Sequence, residues 1–140
     1  VKVLFDTNVV LDVLLAREPH AAVSTHLLNL VDKREIVGAL CATTVTTIHY
    51  IATRAVGPRK AKKHLVELMT MFDVAPVDDK VLGEALEAGF PDFEDAVLHQ
   101  AAIAAGCQAI VTRNRKDFLK SKIPVFDPQE LLAVTIAARP

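Results

Sequence analysis

The chain predicts an α/β fold built around a parallel sheet, and three observations carry that reading. Short apolar runs recur along it, at Val1–Phe5, Ile36–Ala42, Phe72–Val77, Gln108–Val111 and Pro124–Phe126. Strands covered on both faces read as such continuous hydrophobic stretches. Longer segments of helical length lie between them, and this alternation is the pattern of βαβ units. The first and fourth runs then break abruptly into polar residues, beginning with Asp6 and Thr112. In open α/β sheets the C-terminal edge of the strands is where ligands bind.

At 140 residues, 51% hydrophobic and 24% charged, the chain has the size and composition of one folded domain, 1–140. Global disorder is excluded by that balance. A net charge of −1 gives no overall basic field, so any nucleic-acid contact must rest on a local basic rim. Cys41 and Cys107 stand alone in apolar surroundings and read as buried thiols of a reducing compartment. No apolar run reaches the roughly 18 residues of a membrane span, and no signal-peptide pattern opens the chain. The expectation is a soluble, cytoplasmic domain without membrane contact.

The elements follow in order. Asp6 closes the first strand, and Thr7 and Asn8 can start a helix over Val9–Leu15. Asp12, one turn after Asn8, is expected on a solvated helix face, with support of the site as the alternative. Pro19 opens a helix over His20–Lys33 whose stripe is read as Ala22, Leu27, Leu30 and Val31. His20 and His26 have no ligand-type partner at a useful spacing and read as surface residues. After the second strand, Thr43–Thr47 suits a helix N-terminus, and Gly57-Pro58 ends that helix. Thr47 is expected near the sheet's C-terminal edge. A helix over Arg59–Thr70 carries Arg59, Lys60, Lys62, Lys63 and His64 at its start, against the helix dipole. That cluster fits a phosphate- or partner-binding patch and a solvated basic face equally.

Asp78 or Asp79 caps a helix to about Ala88, and Gly89-Phe90-Pro91 is a hard break. Asp92-Phe93-Glu94-Asp95 opens the next helix, closed by Gly106. Acids in a first turn favour the dipole by roughly 0.3–1 kcal/mol each, which accounts for one or two of them. Asp95, flanked by Ala96, Val97 and Leu98, is less well explained that way. The fourth strand runs into Thr112-Arg113-Asn114-Arg115-Lys116-Asp117-Phe118. After the fifth strand, Asp127-Pro128-Gln129-Glu130 is a strong helix start.

Right-handed crossovers place successive strand ends on one edge, so Asp6, Asp95, Asn114 and Asp117 can face one cleft. Two carboxylates about 4 Å apart repel by roughly 4 kcal/mol at an effective dielectric of 20, which a fold tolerates when a proton or a divalent cation sits between them. Mg or Mn takes such oxygen ligands and keeps several waters. No serine or cysteine is set beside a histidine, and no glycine-rich phosphate loop is present. Metal-activated water attacking a phosphodiester is the chemistry that remains.

Leu4-Phe5-Asp6-Thr7-Asn8-Val9-Val10-Leu11-Asp12 resembles the opening of PIN domains. Asp95-Ala96-Val97-Leu98, Ala101 and Ala102 before Gly106, and Ile110-Val111-Thr112-Arg113-Asn114 with Asp117-Phe118 resemble the family's later motifs, in the same order over nearly the whole chain. The resemblance implies a three-layer α/β/α sandwich with a central parallel sheet of about five strands. It also implies an acidic Mg- or Mn-dependent endoribonuclease site, like that of the VapC-type toxin of a type II toxin–antitoxin pair. A homodimer inhibited by an antitoxin, with RNA as substrate, goes with that reading.

Carried over by position, Asp6 and Asp95 match metal-binding acids. Asn114 matches a position that is Asp or Asn in relatives, and Asp117 supports the site with Asn8, Thr47 and Thr112 around it. The family's second acid is usually a Glu, and Thr47 occupies its place here. Asp92 or Glu94 is expected to supply the missing charge. Arg113, Arg115, Lys116, Lys120 and Lys122 are candidates to hold RNA phosphates, with a solvated loop as the equal alternative. A PIN-fold RNA- or protein-binding module with weak or no activity is the rival reading. A phosphotransferase of the haloacid-dehalogenase type also starts strand–Asp, but it wants a second Asp where Asn8 stands.

Overall fold

A computed structural model describes all 140 residues. Five parallel strands form one sheet in the order β3-β2-β1-β4-β5, with β1 (Lys2–Phe5) in the middle. β2 (Val37–Cys41) pairs on one side of it and β4 (Ala109–Val111) on the other. β3 (Asp73–Ala75) and β5 (Val125–Phe126) form the edges. The chain therefore winds outward in both directions from β1, and the crevice beyond β1 and β4 is the point where the strand order reverses. Ligands of open α/β sheets bind at such a point, beyond the carboxyl ends of the strands.

The strand residues divide between two cores, as a side-chain period of two requires. Val3, Phe5, Leu40, Ala109 and Val111 face one layer, whose helices are α1 (Thr7–Leu14), α2 (Ala21–Asp32), α3 (Ala42–Val56), α4 (Pro58–Met71) and α7 (Pro128–Ala137). Leu4, Ala39, Cys41 and Ile110 face the other, built from α5 (Asp79–Glu87) and α6 (Phe93–Ala104). The result is the expected three-layer α/β/α sandwich. Burial on both faces explains why alternation is absent from these strands and why both cysteines are buried thiols. Phe72, just before β3, fills the space over Gly38. A Cβ at Gly38 would come within 2.6 Å of the Phe72 ring and 2.9 Å of Val31, so only glycine fits there. Phe72 also meets Phe5 edge-to-face at 5.1 Å, a geometry that adds roughly 0.5–1.5 kcal/mol to its burial.

The helix starts follow local chemistry. Asp78, Asp92 and Asp127 each cap a helix through their own side chain, and Asp127 with Glu130 completes a reciprocal capping box. Two features differ from the sequence reading. Leu27, Leu30 and Val31 are buried as read, but Ala22 is exposed, and the buried face of α2 is completed by Ala21, Ser24 and Leu28. Alanine carries too little apolar surface to set the phase of a helix. The polar run after β4 is not a plain loop, because Arg115–Phe118 forms one turn of 3-10 helix. Phe118, 2% exposed, anchors that turn against Phe90 with ring centroids 6.0 Å apart. No helix is long and apolar enough to cross a membrane.

Candidate active site

Asp6 leaves β1 in an extended conformation and serves as the N-cap of α1. Its Oδ1 accepts the Thr7 N–H at 2.7 Å, and its Oδ2 accepts the Thr112 hydroxyl at 2.7 Å. The Asn8 amide adds a longer contact of 3.4 Å to Oδ2. The Asp6 N–H donates to Val111 O, which ties the carboxylate to the end of β4. Thr112 is completely buried and also accepts the Asn114 N–H at 3.0 Å. One hydroxyl thus sets the position of Asp6 relative to Asn114. Asp6 is only 8% exposed, and burial raises its carboxyl above the usual range. The Thr112 and Thr7 hydrogen bonds oppose that rise, while the charges of Asp117 and Glu94 add to it.

Asp95 sits in the first turn of α6, across the same cleft. Its carboxyl is pushed up from 3.8 to about 7, first by burial and then by the charges of Asp6, Asp92, Asp117 and Glu94. Asp117, half-buried in the 3-10 turn, donates its N–H to Asn114 O and adds its charge to both acids. The cleft holds about 300 Å³ and is bordered by Asp6, Asn8, Thr47, Glu94, Asp95 and Asn114. Of the residues the sequence placed together, Asp6, Asp95 and Asn114 border this one cleft and Asp117 does not.

Their neighbours are divided. Asp92 caps α6, its Oδ1 accepting the Asp95 N–H at 3.1 Å, and it does not border the cleft. Glu94, the other candidate for the missing charge, does border it. Thr47 stands at the cleft with its hydroxyl donated to the carbonyl of Thr43, one turn back. Hydroxyls mid-helix commonly bond in this way. Of the five cations after β4, only Arg113 borders the cleft. Arg115 pairs with Glu130 at 3.0 Å. Lys116 lines a separate depression with Phe118 and Leu119, and Lys122 another beside Gln100. The Lys120 ammonium lies over Gly89.

Asp12 corrects the sequence reading: it is completely buried, not on a solvated face. Its Oδ2 accepts Arg113 Nε–H at 2.6 Å and its Oδ1 accepts Arg113 Nη2–H at 3.3 Å. Arg17 Nε lies 3.0 Å from Oδ1. The α1 residues Val9, Val10, Leu11 and Asp12 are all buried, so this helix has no solvated side at that turn. A lone acid in a helix that is otherwise apolar was the available signal. Arg17, also on the border of the cleft, went unread because its role depends on the turn after α1.

No three histidine, cysteine or acidic side chains converge on one point as a ready-made cage. The donors at the cleft are all oxygens: the Asp6, Asp95 and Glu94 carboxylates and the Asn114 amide. Such a set suits a hard cation that keeps several of its waters and takes few protein ligands.

A family model described as PIN domain matches residues 2–116. No curated protein matches the chain by sequence. Among solved structures, a chain of VapBC2 from Rickettsia felis, bound to a promoter DNA fragment, superposes with a TM-score of 0.67 at 16% identity, covering 91% of this chain and 98% of that one. A toxin–antitoxin complex from Klebsiella pneumoniae gives 0.67 at 20% identity, over 90% and 97% of the two chains. VapC20 of Mycobacterium tuberculosis, described as a toxin that cleaves the sarcin–ricin loop, gives 0.63 at 18% identity, over 77% and 86%. At these identities the likeness is one of fold.

Proposed function

From the premise that this chain belongs to the PIN domain family, we propose that it is a Mg- or Mn-dependent endoribonuclease, the toxin of a type II toxin–antitoxin pair. The observation that carries the reading is that Asp6 and Asp95 border one cleft beyond the point of strand reversal, with Asp95 pushed to about 7 by burial and then by its acidic neighbours. Perturbed carboxyls in a cleft are what phosphodiester chemistry with a divalent cation needs and what stability alone disfavours. Asp6 and Asp95, helped by Glu94 and Asn114, would hold the cation. When bound, it supplies an activated water and stabilises charge developing on the phosphate.

The chain's own residues supply the rest. Thr7 and Thr112 fix both oxygens of Asp6, so that acid cannot turn away from the cleft. Asp95, its carboxyl raised to about 7 by burial and its acidic neighbours, would hold the cation as the deprotonated carboxylate. Asn114, positioned through Thr112, presents a neutral amide where a further carboxylate would raise the repulsion. Asp117 keeps the negative potential of the cleft high without bordering it. Asp92 acts through the helix cap and through its charge on Asp95.

Two of the relatives are toxin–antitoxin complexes by description or by pairing with VapB, which favours an antitoxin as protein partner. A homodimer follows from the family resemblance. Leu86 and Phe93, exposed by 70% and 48%, are apolar surface that such an interface could cover. A second reading, a binding module of weak activity, is favoured by Thr47, whose hydroxyl is already bonded within its helix. Calorimetric titration with Mn separates the two. Binding in the wild type that is lost in Asp6→Asn and Asp95→Asn is the nuclease result. RNA binding in EDTA with no Mn uptake is the module result.

A further inference from the structure

The cleft carries both signs of charge: Asp6, Asp95 and Glu94 border it, and so do Arg17 and Arg113. Both guanidiniums face the single buried carboxylate of Asp12. One anion against two cations leaves the trio with an excess positive charge. Arg113 gives Nε and Nη2 to Asp12 and keeps Nη1 free of any protein acceptor. The Arg17 backbone N–H donates to Asp12 O at 2.9 Å, and its buried Nε lies 3.0 Å from Asp12 Oδ1, an ion pair that holds the inner end of the side chain. Neither terminal nitrogen of Arg17 is paired, and the side chain is 41% exposed at the cleft.

Asp12 also keeps the two signs apart. Flexible arginines beside three carboxylates would collapse onto them and fill the cation site. A fully buried anion behind the arginines holds them back. The guanidinium fork matches two oxygens of a phosphate in one plane, which a lysine cannot do.

We infer that Arg17, held beside Arg113 by Asp12, is a substrate-binding residue that takes the non-bridging oxygens of an RNA phosphodiester next to the one cut. The inference rests on the nuclease reading and adds to it the residue that sets the register of the strand in the cleft. Being pinned before substrate arrives, the pair loses little freedom on binding.

The test compares Arg17→Ala and Arg17→Lys with the wild type in two assays. In Mn-supported cleavage of a short RNA, Arg17→Ala raises KM by roughly 10- to 100-fold, the worth of a charge-assisted bidentate contact, and leaves kcat within a few-fold. In fluorescence anisotropy with a labelled single-stranded RNA and Mg, in an Asp95→Asn background, the same change weakens binding and lowers the slope of log K against log salt by about 0.7. Arg17→Lys keeps the salt slope but recovers only part of the affinity. A merely structural Arg17 would instead lower the unfolding temperature and leave KM and slope unchanged, which overturns the inference. Unchanged RNA binding with lost binding of an acidic antitoxin segment overturns it too. A wild type that cuts RNA while Arg17→Ala cuts equally well sinks this assignment alone. A wild type that neither binds nor cuts RNA sinks the nuclease reading with it.

Discussion

Asp95→Asn is expected to stabilise the metal-free protein by an amount that grows as pH rises from about 4 to about 7. The folded Asp95 carboxyl is raised to about 7 from 3.8. Between those values the folded state holds a proton that the unfolded chain has released, so stability falls as pH rises across that window. It is fully present below the unfolded value and lost on passing through the folded one. At about 1.36 kcal/mol per pH unit the upper bound is near 4 kcal/mol. Water reaches the partly exposed carboxylate and screens its neighbours, which brings the expected effect to roughly 1–2 kcal/mol. Asparagine keeps the shape and removes the charge, at the loss of about 0.3–1 kcal/mol of helix-dipole stabilisation. Urea unfolding of both proteins in EDTA, from about pH 4 to pH 8, gives the difference directly. The variant should be no more stable than wild type at the acid end and should gain steadily above it. Saturating Mg should abolish that gain by replacing the proton in the wild type. A difference that does not vary with pH, or a variant less stable at pH 8, would refute the electrostatic account of the cleft.

Thr47→Glu adds a carboxylate at the border of the cleft and should tighten Mn binding by about tenfold, as a charge added to a hard-cation site does; unchanged calorimetric affinity would mean that Glu94 already fills that part. Asp12→Asn strands two guanidiniums and should destabilise by about 3 kcal/mol, the low end for a broken buried pair because both arginines reach solvent; chemical denaturation checks this. His99 is 1% exposed, its Nε2 accepts the Lys122 N–H at 3.0 Å, and burial, then the Lys122 charge, lowers its pKa below 6.5. Its contribution is present above pH 6.5 and is lost as pH falls through the lowered folded value, so His99→Leu should destabilise by about 1–2 kcal/mol near neutrality and by less in acid. A deficit that grows on acidification would contradict that sign.

The sheet was legible because burial on both faces writes itself as continuous apolar runs, and Val3-Leu4-Phe5 divides between two cores without any polar interruption. The helix starts were legible because Asp78, Asp92 and Asp127 cap locally. The 3-10 turn was not, since its four residues are held by Phe118 reaching Phe90, a contact distant in sequence. Asp6, Asp95 and Asn114 could be placed together from strand ends alone. Which first-turn acid of α6 borders the cleft could not: the two candidates lie two residues apart, and Asp92 is engaged as the cap while the exposed Glu94 borders the cleft. Asp12 was misplaced because periodicity assumes one solvated side, and α1 has none at that turn. Arg17 and Arg113 meet there only in three dimensions.

The most direct measurement is cleavage of a mixed RNA pool with Mn, with Mg and with EDTA, comparing the wild type with Asp6→Asn and Asp95→Asn. Cutting that requires the metal and disappears in both variants is the expected result. It would also show that Thr47 does not disable the site. Equal silence of all three proteins across metals, or cutting that survives both substitutions, would contradict a nuclease centred on these two acids.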